Sequence, residues 1–306
     1  MDKFSVYAPK LLPREERYIT GRRSCKGCGK ALAARIASKA MSGSAVLPAD
    51  YPGASALSAQ SYAYDEVTSS AMVEQLLSAA ERINAAAARA TKSRHKIIKK
   101  PVIVIDRRVF MSDFLALSRV LQQQRTGLYL CFDNEPYVDA LIKRTLPQPF
   151  VRNELAHPVS DTDIQQLISD KNLPDIAAAA DFSYFATACP SMPFDYIDKI
   201  AKGMDCDGNA FILVLTPCPT GWMFPSAQTH KVGLSAVGTG YFPLYEIDRG
   251  GLTVTERLEK RRPVQEYLMQ QKRFFVFPPQ LVPSVQSAVD TYYEDLLQRE
   301  QTGKTS

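Results

Sequence analysis

The sequence predicts an α/β domain built on a doubly wound, mostly parallel sheet and continued by a C-terminal tail. Three observations carry this prediction. Continuous apolar runs end on polar residues, as in Val102-Ile103-Val104-Ile105-Asp106 and Leu128-Tyr129-Leu130-Cys131-Phe132-Asp133-Asn134. Runs without alternation suit strands covered on both faces. Segments of helical period lie between them, and the alternation of the two types describes a parallel sheet with crossover helices. In such sheets ligands bind at the carboxyl ends of the strands.

Taken in order, residues 1–20 are rich in proline and charge and read as an extended lead-in. Leu32, Ile36 and Ala40 have helical spacing that ends near Gly43, and Ala45-Val46-Leu47 is a short apolar run of strand type. A Pro/Gly/Ser/Ala stretch from Pro48 to Ser61 reads as a loop, and Met72 to Ala90 as an amphipathic helix with small residues. After the strand at 102–106 come a helical segment (Phe114, Leu117, Leu121), the strand from Leu128, a helix over 161–171, a strand over 182–188 and a helix over 194–203. Ala210-Phe211-Ile212-Leu213-Val214-Leu215 is the last buried strand. The α/β domain therefore spans 21–225, and 226–306 is a tail that wraps the domain or a partner. In the tail, 232–239 reads as a helix, 241–251 as a hairpin, and 264–271 and 284–299 as helices.

Composition narrows the class. The chain has 306 residues, 37 Lys and Arg against 32 Asp and Glu, and a net charge of +5, which gives no case for nucleic acid. The densest basic run, Lys92 to Lys100, reads as a solvated loop before a strand. No apolar run approaches the ~20 residues of a membrane span, and the N-terminus lacks a signal-peptide core, so the expected compartment is the cytoplasm. Six cysteines in a chain of this length do not make a disulfide scaffold, so they are core residues or ligands.

The strongest local motif is Arg22-Arg23-Ser24-Cys25-Lys26-Gly27-Cys28-Gly29-Lys30-Ala31-Leu32. Cys25 and Cys28, three apart on a glycine-rich turn before a helix, can face one space, and the helix N-terminus favours negative charge. Thiolates there suit zinc, an iron–sulfur cluster or a redox disulfide; a tight turn with two idle thiols is the plain alternative. His95, His157 and His230 have no motif around them, and no catalytic side chain is assigned.

Several motifs then fall into one order. Ser24-Cys25-Lys26-Gly27-Cys28-Gly29, Leu128-Tyr129-Leu130-Cys131-Phe132-Asp133-Asn134-Glu135, Pro217-Cys218-Pro219-Thr220-Gly221-Trp222, Thr239-Gly240-Tyr241-Phe242-Pro243-Leu244-Tyr245-Glu246 and Pro263-Val264-Gln265-Glu266-Tyr267-Leu268 resemble the β subunit of 2-oxoacid:ferredoxin oxidoreductases, the pyruvate synthase family. The resemblance implies a thiamine diphosphate-binding fold. It implies a subunit that holds Mg²⁺ and thiamine diphosphate beside a four-cysteine iron–sulfur cluster and acts on a 2-oxoacid. It also implies partner subunits of α, γ and δ type and a ferredoxin-like electron acceptor.

By that resemblance, Cys25 and Cys28 match the first two cluster ligands and Cys218 the fourth, with Gly27 and Gly29 in the cofactor-facing turn. The third cysteine is replaced within Ala49-Asp50-Tyr51-Pro52. Three thiolates leave several outcomes open: a cluster completed by Asp50 or a partner residue, a zinc ion, or a pocket without metal. The family's Gly-Asp-Gly-Gly turn reads Ile105-Asp106-Arg107-Arg108 here. Asp106, the Asn134 amide and the Pro136 carbonyl match a hard-cation shell. Arg107 and Arg108 put long side chains where glycines admit the diphosphate, as a stand-in for Mg²⁺ or as an anion site. Asp139, where the family has asparagine, repels phosphate. The expectation is a β-type subunit whose own thiamine and cluster sites are altered or lost. A non-catalytic scaffold beside an active β sibling, holding no cofactor, is the alternative.

Overall fold

A computed structural model of the chain describes residues 18–19, 24–41, 62–63, 71, 73–75, 77–78, 81–82, 85, 100–107, 119, 126–135, 138, 142, 159–172 and 182–303. Its strands are β1 (Tyr18–Ile19), β2 (Tyr62–Ala63), β3 (Val102–Asp106), β4 (Leu128–Asp133), β5 (Tyr184–Ala188), β6 (Ala210–Leu215), β7 (Tyr245–Asp248) and β8 (Gly251–Val254). The continuously described helices are α1 (Gly29–Ala40), α2 (Asp161–Asn172), α3 (Pro193–Asp205), α4 (Pro219–Trp222), α5 (Thr229–Gly238), α6 (Gln265–Leu268) and α7 (Val282–Thr302). The main sheet runs β3-β4-β6-β5-β7-β8. Its first four strands are parallel, and β7 and β8 extend it antiparallel.

The strand sequences explain the layering, because successive side chains point to opposite faces. Leu128, Leu130 and Phe132 of β4 join Ala33, Ile36 and Ala37 of α1 and Tyr196 and Ile200 of α3 in one core. Tyr129 and Cys131, between them in sequence, join Ile164 and Ile168 of α2, Val232 and Ala236 of α5 and Val285 and Val289 of α7 in the other. Every residue of β4 and β6 is buried, as their unbroken apolar runs require. This is the doubly wound, mostly parallel sheet that the sequence predicts.

The C-terminal segment adds to the same sheet. The hairpin lies at 245–254, where Asp248 pairs with Gly251 across Arg249 and Gly250, both at positive φ (48° and 84°). Such a two-residue turn matches the twist of the flanking strands. α7 then packs against α2 and β8. The helix expected over 264–271 is corrected to the single turn α6, because Tyr267 and Leu268 turn inward and a 3₁₀ segment, Lys272–Val276, carries Arg273 back to the sheet.

Lys100 also departs from expectation. It is 4% exposed, and its ammonium donates to the carbonyls of Gly203 and Cys206 at 2.9 and 2.6 Å, capping the C-terminus of α3. A cation is favoured there by the helix dipole. The rest of that basic run lies outside the described residues, as do the 45–47 strand, the 48–61 loop, Asp50, Arg108, Pro136, Asp139, His95 and His157. Cys131 and Cys189 are buried core thiols, and His230 is exposed.

Candidate functional site

The parallel strands bring the sequence-predicted residues to one edge. Asp106 closes β3 opposite Phe132, and Asp133 closes β4 opposite Leu215, so Asp106, Asn134 and the Thr216-Pro217-Cys218 loop sit at the carboxyl ends of three adjacent strands. Asp133 shapes this edge: its Oδ1 accepts from the Glu135 amide at 2.7 Å, and its carbonyl accepts from the Thr216 amide and hydroxyl at 2.7 and 2.9 Å. Asn134 is held by its carbonyl, which accepts from the Trp222 indole at 2.8 Å. Its side-chain Oδ1 is buried with no hydrogen-bond partner.

At the end of β3, Lys30 of α1 donates to Asp106 Oδ2 at 2.5 Å. The Lys30 side chain is 15% and that of Asp106 5% exposed, so water screens this ion pair little. Arg107, the next residue, is also buried. The carboxylate that the resemblance assigns to a metal is therefore engaged by an ammonium in this structure.

The cysteine turn is clamped against the loop after β6. The Cys28 amide donates to the Cys25 carbonyl at 3.1 Å, closing a turn around Gly27 at φ +71°. A Cβ on Gly27 would lie 2.3 Å from the Ser226 carbonyl oxygen, and one on Gly29 would lie 2.4 Å from that of Pro217. The Gly29 amide donates to the same Pro217 oxygen at 3.1 Å, and the Thr229 hydroxyl donates to the Gly27 carbonyl at 2.6 Å. Both glycines are thus required for backbone approach. Cys25 is exposed, while Cys28 and Cys218 are half-buried. The Cys218 sulfur accepts the Gly221 amide at 3.3 Å. Among the described residues, no three His, Cys, Asp or Glu side chains gather into a metal-holding group.

A buried ion pair ties the C-terminal segment to this edge. Glu135, fully buried and at φ +54°, accepts at Oε2 from Arg273 at 2.5 Å and from the Tyr267 hydroxyl at 3.0 Å. The Arg273 guanidinium lies over the Trp222 ring at 4.1 Å and donates to Gln271. Burial acts to lower the Arg273 pKa, but the Glu135 charge and hydrogen bond together with Tyr267 and Tyr241 outweigh it, and the guanidinium holds its proton more firmly than usual. Burial, then the Glu135 charge, pushes the Tyr267 pKa well up, so its hydroxyl stays a donor.

Lys30, Glu135, Tyr267 and Arg273 are the functional-edge residues that sequence reasoning passes over. One signal was available for Lys30. It stands in the first turn of a helix with no acid in that turn, where the dipole disfavours a cation. A lysine there asks for a carboxylate from elsewhere in the fold.

No family model matches the chain. Among curated proteins it is similar to pyruvate synthase subunit PorB of Methanocaldococcus jannaschii, with 33% identity over 91% of this chain and 95% of that one. PorB of Methanothermobacter thermautotrophicus is 31% identical over 93% and 99%. Ketoisovalerate oxidoreductase subunit VorB of Pyrococcus abyssi is 28% identical over 86% of each. A solved 2-oxoglutarate:ferredoxin oxidoreductase from Magnetococcus marinus, with 2-oxoglutarate, coenzyme A and succinyl-CoA bound, aligns over 70% of each chain at 15% identity. Its TM-score of 0.37 is too low to carry a structural argument.

Near-complete coverage of such relatives defines the class: an α/β subunit of a 2-oxoacid oxidoreductase. Within that class, the chain belongs to the PorB-type β subunits of the 2-oxoacid:ferredoxin oxidoreductases, the pyruvate synthase family.

Proposed function

We propose that this chain serves as the β-type subunit of a 2-oxoacid:acceptor oxidoreductase complex, with its own thiamine diphosphate and iron–sulfur sites altered. The complex contains α-, γ- and δ-type partner subunits in the cytoplasm and delivers electrons to a ferredoxin-like acceptor. Family membership supports the assembly role. So does an exposed apolar set, Met223, Met269, Phe275 and Val276, on two segments joined by the Lys272 amide donating to the Met223 carbonyl. Apolar surface of this kind marks protein contacts.

The Lys30–Asp106 ion pair carries the altered-site reading. Mg²⁺ would be held here by the Asp106 carboxylate together with the Asn134 oxygen and a backbone carbonyl, so it would need that carboxylate available to ligate. With an ammonium on that carboxylate and a buried arginine next to it in sequence, the described residues do not fit the Mg²⁺–thiamine diphosphate pair as they stand. The three cysteines, Cys25, Cys28 and Cys218, likewise fall short of a cluster-holding set among the described residues.

The same ion pair favours a second reading, a non-catalytic structural paralogue beside an active β sibling. Asp106→Ala in the intact complex tests both against a working thiamine site. A working site loses 2-oxoacid-dependent acceptor reduction in this variant. A structural subunit leaves turnover unchanged while the complex remains assembled on gel filtration.

A further inference from the structure

We propose that Lys30 has taken the place of a divalent cation on Asp106, so that the carboxyl edge of β3 and β4 is closed to divalent metal by a residue of the chain itself. This deepens the altered-site reading above and rests on it. Lys30 reaches Asp106 across 76 residues of sequence, from a helix end where its charge is disfavoured. Removing an ammonium from water and placing it against the helix dipole is offset only by a partner as strong as the Asp106 carboxylate. A divalent ion bound to Asp106 Oδ2 would need the volume that the ammonium fills at 2.5 Å. Asn134 Oδ1, at the end of the adjacent strand, is a buried acceptor without a partner, the group left over when a cation's shell loses its cation.

The arrangement makes a charge-swap prediction. Lys30→Met takes the ammonium away from the buried Asp106 carboxylate at the strand-end edge that also carries the unpartnered Asn134 oxygen, so that oxygen donors there become available to a cation. Lys30→Arg keeps the charge. Lys30→Met/Asp106→Asn removes both the charge and the need for one.

The test uses the intact complex stripped with EDTA and titrated with Mn²⁺, bound metal being read by electron paramagnetic resonance and thermal stability by scanning fluorimetry. Wild type and Lys30→Arg should show no Mn²⁺ dependent on this chain and no metal effect on Tm. Lys30→Met should melt several degrees lower in EDTA, gain about one Mn²⁺ per chain and recover its Tm with millimolar MnCl₂. The double variant should lose the Mn²⁺ and melt near wild type without it. Mn²⁺ in wild type that disappears in Asp106→Asn overturns the proposal, and this reading stands even where Lys30→Met fails to fold. A Lys30→Met chain that gains no Mn²⁺ and melts like wild type also overturns it. The outcome is separate from the functional reading: turnover that depends on Asp106 would refute the altered site while leaving the Mn²⁺ count of wild type to be read on its own.

Discussion

Arg273 is the sharpest place to perturb the link between the C-terminal segment and the site edge. Its side chain is 3% and that of Glu135 0% exposed, and the two meet at 2.5 Å. Arg273→Met keeps much of the aliphatic stem over Trp222 but leaves the Glu135 carboxylate buried without its cation, held by neutral tyrosine donors such as the Tyr267 hydroxyl. Breaking one side of a buried pair costs about 3–5 kcal/mol, because the remaining charge stays in low dielectric. At about 2 °C per kcal/mol for a chain of this size, Tm should fall by roughly 6–10 °C. Glu135→Gln/Arg273→Met should recover most of that loss, since two neutral groups carry no desolvated charge. Trp222 is the single tryptophan, so its emission reports the loss of the cation above its ring directly. A Tm change under about 2 °C, or a double variant no better than the single, would refute the ion-pair account of this junction.

Two further outcomes follow from the geometry. Gly29→Ala should destabilise by about 2–3 kcal/mol in urea denaturation, because the new methyl meets the backbone of Pro217 rather than a movable side chain; an unchanged midpoint would contradict the clamped turn. Cys25 should react first with a disulfide reagent in the folded chain, while Cys131 and Cys189 stay silent until unfolding. Burial pushes the Cys189 pKa from 9.0 to about 11. A raised folded pKa means that the thiol's contribution is full below pH 9 and falls as pH rises toward about 11. The stability of wild type relative to Cys189→Ala should therefore decline by roughly 2–3 kcal/mol over that window. A flat difference would place the thiol in contact with water.

The sheet was legible in the sequence because its physics is local. The runs at β3, β4 and β6 are apolar at nearly every position, as strands covered on both faces must be; β3 and β4 end on aspartates, and β6 runs into Thr216 at the same edge. The family motifs pointed to that edge as well, placing Asp106, Asn134 and Cys218 at neighbouring strand ends. The short α6 was not legible, since the pattern from Val264 to Gln271 has helical spacing. Its end is set by Glu135, which draws Arg273 inward from 138 residues away. Lys30 and Asp106 meet only because α1 lies across the end of β3, and no window of sequence contains both. The last lysine of the basic run before β3 misled for the same reason: Lys100 finds the end of α3 rather than solvent.

The most direct test of the altered site is the content of this chain's own cofactors in the complex, purified anaerobically without added cofactor. Thiamine diphosphate is measured by chromatography after denaturation, and iron and magnesium by mass spectrometry, each set against wild type by removing this chain's Asp106 or Cys28. The account predicts that neither Asp106→Asn nor Cys28→Ser lowers the thiamine diphosphate, magnesium or iron of the complex. Loss of about one thiamine diphosphate and one Mg²⁺ per chain in Asp106→Asn would contradict it.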